Sequence, residues 1–162
     1  MSTTGTPEDV WTAIKKLRVA MLTTDEDGHL VSRPMASIGQ PEDGKIYFIA
    51  HTHTNIVRQG ESVRVNLAYA DSDKNTYLSI YGIARMTQDR AKLEELWSVW
   101  SEAWLPQGPD SPDVALIAVE PIDAKLWDAN SKLIYAAKML AAAAAQKPPS
   151  AGTVKEVRMA RR

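Results

Sequence analysis

Polar and apolar residues alternate with a period of two over much of this chain, and the breaks in that period mark its turns. The clearest run is Val63 to Tyr69. Val63, Val65, Leu67 and Tyr69 fall on one side, Arg64, Asn66 and Ala68 on the other. Thr76 to Met86 repeats the pattern, with Leu78, Ile80, Ala84 and Met86 on one face. Gly82 within it predicts a bulge or a close backbone approach. Arg18 to Thr24 and His29 to Ile38 read as two strands joined by the turn Asp25-Glu26-Asp27-Gly28. Pro34 cannot donate to a ladder, so it predicts an edge, a bulge or an interruption in the second. Gln40-Pro41-Glu42-Asp43-Gly44 is the next turn. Ile46 to Ala50, nearly all apolar, is a strand covered on both faces. Val114 to Val119 and Ala124 to Trp127 are two further strands.

Elsewhere the period is helical. Thr6-Pro7-Glu8-Asp9 supplies a cap, a first-turn proline and acids at the positive end of the dipole, followed by Val10, Ile14 and Leu17 on one face. From Asp89, the spacing of Leu93, Leu96, Trp97, Trp100 and Trp104 predicts one amphipathic helix. Its aromatic stripe reads as core or dimer interface, because a base-stacking platform would carry interleaved positive charge. Asn130 to Ala145 predicts another helix, and His51 to Glu61 a polar loop with one or two helical turns. Strands joined by tight turns predict a mainly β, α+β chain: a small antiparallel barrel flanked by helices, over residues 1–146.

Composition changes this picture little. The chain has 162 residues, enough for one domain with its own core. It has no cysteine and a net charge of −1, which removes disulfide and thiolate chemistry and any general attraction to nucleic acid or membranes. Neither a membrane-spanning run nor a secretory start is present in the sequence, so a cytoplasmic location is expected. Residues 147–162 hold Lys147, Lys155, Arg158, Arg161 and Arg162 against Glu156, a local charge of +4. That composition reads as a solvated, flexible tail, or else as a basic arm for phosphate or a partner.

The common catalytic signatures are absent: no GxGxxG, P-loop or GxSxG. His51 and His53 could face one way, but zinc needs three or four ligands and the only other histidine is His29. No metal site is expected. Two segments remain. In Ser32-Arg33-Pro34-Met35, the guanidinium could grip a phosphate or sit in a surface salt bridge. In His51 to Asn55, Thr52 and Thr54 offer hydroxyls beside a short helix start.

In order and spacing, several segments together resemble the general stress protein 26 branch of the pyridoxamine 5′-phosphate oxidase-like, FMN-binding split-barrel family. They are Ser32-Arg33-Pro34-Met35, Ile46 to Ala50 before a Thr-rich loop, Val63 to Tyr69, Tyr77 to Ala84, Trp104-Leu105-Pro106-Gln107-Gly108-Pro109 and Leu126-Trp127-Asp128. The resemblance implies a split-barrel homodimer with FMN at the subunit interface. It implies Arg33 at the phosphate end, and Pro34, Met35 and Ala36 along the isoalloxazine ring. Ile49 and Ala50 would line the site, with Thr52, Thr54 and Asn55 in the phosphate loop. Tyr77 and Ser79 would approach from the following strand, and Trp127 from the other subunit. Related barrels use the deazaflavin F420 or haem instead. The reaction implied is flavin-dependent oxidation of NAD(P)H, with a non-catalytic flavin-sensing module as the alternative. The family's usual loop lysine is Ile56 here, with Arg58 the nearest cation. Losing one charge-assisted contact predicts affinity lower by roughly 10- to 100-fold. A lysine at 56 is then expected to leave binding unchanged or tighten it. Nothing after Trp127 matches the basic, histidine-containing segment that binds substrate in pyridoxamine phosphate oxidase, so vitamin B6 synthesis is not expected.

Overall fold

Thr6 starts the first helix as its sequence predicts. Its side chain accepts from the Asp9 backbone N–H, and Asp9 accepts from the Thr6 N–H at 2.9 Å. This capping box opens α1 (Pro7–Leu17), which buries Val10, Ala13 and Ile14. The computed structural model describes residues 2–128, 140–144 and 153–159. After β1 (Ser2–Thr4) and α1 come β2 (Val19–Glu26), β3 (His29–Ala36), β4 (Ile38–Gln40), β5 (Lys45–His51), β6 (Ser62–Asp71) and β7 (Thr76–Thr87). Two short helices, α2 (Arg90–Leu96) and α3 (Val99–Trp104), precede β8 (Val114–Asp128) and β9 (Thr153–Arg158).

The strands form one sheet in the order β1-β9-β8-β7-β6-β2-β3, with β4 paired to β5 and β5 paired to β8. Every ladder is antiparallel except β1–β9. The sheet curls without closing. β2 and β6 pair only through Met21, Leu22 and Thr23, then diverge, and β3 touches β5 without a ladder. The inward side chains, led by Leu22, Phe48, Leu67, Ile80 and Ile117, form the main core under α1. A smaller cluster joins Tyr47, Leu116 and Val114 to Leu93 and Leu96 of α2.

β3 runs unbroken through Pro34 because it is an edge strand paired only with β2, one of the three outcomes expected there. Four expectations need correction. Residues 52–61, all described, form turns and bends with no helix, because Ile56 and Val57 dive into the core. The helix expected from Asp89 is two, broken where Ser98 caps α3 through the Ser101 N–H. The two strands expected at 114–119 and 124–127 are one, β8, whose register against β7 shifts between Tyr81 and Gly82. There a Cβ on Gly82 would stand 2.6 Å from the Glu120 carbonyl oxygen. Finally, the tail expected to be flexible holds β9, which pairs with β8 and β1 because Val157 and Met159 bury against the core. Of the helix expected from Asn130 to Ala145, residues 140–144 are helical, and the remainder lies outside the described residues. No described helix is long and apolar enough to cross a membrane.

Candidate functional site

Register partners on neighbouring strands project from the same face, so the outer face can be read as rows. One row runs Ala36, Val19, then past the divergence Ala70, Tyr77, Trp127 and Val154. The next runs Pro34, Met21, Ala68, Ser79, Lys125 and Glu156. The first row is apolar yet open to solvent, with Val19 52% and Trp127 36% exposed. Where β2 and β6 part, a cavity of about 470 Å³ is lined by Val19, Met21, Ala68, Tyr77, Ser79 and Trp127. Tyr77, Ser79 and Trp127, remote from one another in sequence, thus share one surface. Asn66 donates to the Ser79 hydroxyl at 2.9 Å and holds it in place.

Alternation sends Arg33 and Met35 to the other side of β3. They pair with Leu22 and Ala20 of the core face, and Met35 packs against the core, whereas Pro34 and Ala36 face outward. Arg33 is engaged: one Nη donates to the Thr24 hydroxyl at 3.0 Å and the other forms an ion pair with Glu26. Within one chain it is therefore a partly buried salt-bridge arginine. Beneath the joint between β3 and β4, Tyr69 is 3% exposed and its buried hydroxyl lacks a hydrogen bond of normal geometry. Burial pushes its pKa up to about 12, against the pull of the nearby Ser37 hydroxyl.

The third group follows β5. Ile49 packs with the smaller cluster and Ala50 with the main core. Beyond them the Thr52 N–H donates to the Asp113 carbonyl at 2.9 Å, and the Ile56 N–H donates to the Thr54 hydroxyl at 3.3 Å. His51 and His53 stack at 5.1 Å between ring centres, and Gln107 Nε2 lies 3.5 Å from His51 Nδ1. Asn55 and Arg58 are exposed. The register Ile38↔Tyr47 runs the Arg33–Ala36 end of β3 toward Ile49–His51, so these two walls adjoin. Trp127 does not join them. His51 pairs with Val114 at one end of β8, and Trp127 lies thirteen residues further along that strand, in the row of Tyr77.

Two further ties flank β5, one at the β4–β5 turn and one at the Val114 end of β8. Lys92 bridges Asp43 at 3.0 Å and Glu95 at 2.9 Å, and the Tyr47 hydroxyl donates to Asp43 at 3.0 Å. The Lys92 contact holds the Asp43 carboxyl below its ordinary range, and burial together with Asp43 pushes Tyr47 up to about 12. Arg90 Nη1 ties the Pro109 and Val114 carbonyls at 2.9 and 3.0 Å. Reading by sequence missed Arg90 and Lys92, whose roles depend on loops distant along the chain. It also missed the depth of Ile56-Val57, signalled only by two adjacent aliphatic residues in a polar stretch.

The family of pyridoxamine 5′-phosphate oxidase-like proteins matches residues 6–150. A general stress FMN/FAD binding protein from Xanthomonas citri is 31% identical, with a TM-score of 0.65 over 75% of this chain and 87% of that one. A candidate general stress protein 26 from Jannaschia sp. CCS1 superimposes with a TM-score of 0.72 at 22% identity, over 93% of this chain and 95% of that one. A pyridoxamine 5′-phosphate oxidase-related, FMN binding protein from Nostoc punctiforme has a TM-score of 0.54 at 16% identity, over 75% and 83%. No curated protein matches the chain.

Proposed function

The chain belongs to the pyridoxamine 5′-phosphate oxidase-like family, and from that premise we propose that it is a flavoprotein holding FMN between two copies of itself. The observation that carries this reading is the separation of the two half-sites. Hydroxyl, amide and cationic groups suited to a phosphate lie at residues 52–58. The aromatic wall suited to a flat ring lies at Tyr77 and Trp127, at the far end of β8. The two halves sit at opposite ends of β8, and a two-fold pair would bring each half to the other's complement.

The residues present fit the group. Pro34, Ala36 and Ile49 offer an apolar surface. Thr52, Asn55 and Arg58 stand at the anionic end, with Arg33 available once its Glu26 partner yields. When bound, FMN supplies the redox chemistry, and the protein supplies binding, orientation and exclusion of water. The proposed reaction is hydride transfer from NAD(P)H to the flavin, with the two electrons then passed to a second acceptor.

The test is titration of the purified protein with FMN, followed by fluorescence quenching, with the mass of the complex measured in parallel. One flavin per chain on a particle of twice the chain mass is expected. A monomer that leaves FMN fluorescence unchanged refutes the proposal. The absorbance spectrum identifies F420 or haem if either replaces FMN. Steady-state NAD(P)H consumption by the loaded protein separates oxidoreductase from sensor.

A further inference from the structure

α3 buries none of its residues. Val99, Trp100 and Trp104 are 81%, 74% and 83% exposed, and among the large apolar side chains described only Leu30 and Leu140 are as open. Trp100 and Trp104 are four apart, so they share one face of the helix. Two adjacent, solvated tryptophans form a patch of a size that on monomers is often functional. The patch is held firmly in position. Leu105 behind it is buried in the smaller cluster, Arg90 ties the following loop to β8, and Gln107 lies against His51. α3 therefore stands beside the polar half-site at the Val114 end of β8.

At the opposite end of β8 the row Val19, Tyr77 and Trp127 is also apolar and exposed. One chain thus carries two uncovered apolar patches, one next to each half of the site proposed above. In an isologous pair, whatever patch one chain presents to the second patch of its partner, the partner presents in return. We infer that α3 is a clasp for a second copy of this chain: Trp100 and Trp104 pack on the Val19–Tyr77–Trp127 row of the partner subunit and close the seam over the cofactor. The inference rests on the two-chain site proposed above and names the element that assembles it. Aromatic side chains bury ~150–250 Å² each when fully covered, and the parts of Trp100, Trp104, Tyr77 and Trp127 still exposed give the two reciprocal contacts on the order of 1,000 Å² over both chains, about what a specific interface needs. The occupant is a second copy and not a nucleic acid, because α3 holds Glu102 and no lysine or arginine.

The experiment uses the full chain and its Trp100→Ala/Trp104→Ala variant. Mass by light scattering, FMN binding by fluorescence quenching and thermal unfolding are measured for both. Because neither tryptophan is buried within one chain, the variant is expected to keep the wild-type fold. It is also expected to shift toward monomer and to bind FMN at least ~10-fold more weakly. A second measurement exploits the absence of cysteine: a chain carrying Trp104→Cys and Tyr77→Cys is expected to give covalent dimers with a short bismaleimide, in higher yield than either single variant. A wild-type dimer that binds FMN, with a double-alanine variant that does both equally well, overturns the clasp and leaves the two-chain site standing. A wild-type chain that is monomeric and does not bind FMN overturns both.

Discussion

At position 56 the side chain is isoleucine, 4% exposed within the main core, and this reverses what a lysine there would do. Burying an unpaired ammonium costs far more than one phosphate contact returns. Ile56→Lys is therefore expected to lose about 3 kcal/mol or more of stability, seen as a lower urea midpoint, and to weaken FMN binding rather than tighten it. Ile56→Leu is the volume-conserving control. Arg33 poses the opposite case, a cation present but committed to Glu26 and Thr24. Under the proposed function, Arg33→Ala weakens FMN binding about 10-fold, whereas Glu26→Gln removes the competing carboxylate and tightens it. Fluorescence titration of the two variants side by side reads the sign directly. Equal affinities would remove Arg33 from the phosphate site.

Elements depend on their ends and on single close approaches. Thr6→Ala breaks the capping box of α1 and is expected to cost ~1 kcal/mol, measurable as a fall in melting temperature. Gly82→Ala drives a methyl into the Glu120 carbonyl and Val119. Strain of that kind costs ~1–3 kcal/mol, and because it sits at the register shift of β7 against β8, it also disturbs the Tyr77 and Trp127 wall. The carboxylates at element junctions set the acid limit. The Thr6 backbone N–H, chiefly, holds Asp9 below its ordinary value of 3.8, and Lys92 does the same for Asp43. A carboxyl lowered in the folded state stabilises the fold above its unfolded value, and that contribution is lost as pH falls through its folded value. Melting temperature is thus expected to fall below about pH 4, less steeply in Asp43→Asn. Circular dichroism across pH 2–6 follows it.

For the molecule as a whole, the C-terminal strand matters more than its charge suggests. Lys155 pairs with Asp9 at 3.3 Å and Arg158 with Asp123 at 3.7 Å, while Val157 and Met159 are buried. Deleting residues 153–162 is expected to lower the unfolding midpoint by the equivalent of ~3 kcal/mol or more, the burial value of two side chains, as judged by denaturant unfolding. The chain's alternation, turn residues and caps determined the antiparallel strands, α1 and the inward faces, because those depend on neighbours two to four residues away. The resemblance to the split-barrel family, not the periodicity, marked Arg33–Ala36 and Ile49–Asn55 as a pair of segments worth joining. Only the tertiary structure decided that Ile56 is core, that Arg33 is paired, that the aromatic helix breaks at Ser98 and exposes Trp100 and Trp104, and that the basic tail is a strand. Each of these turns on a partner far along the chain: a core wall, a cross-strand carboxylate, the limited surface α2 can cover, an open sheet edge. Local periodicity carries no record of such partners.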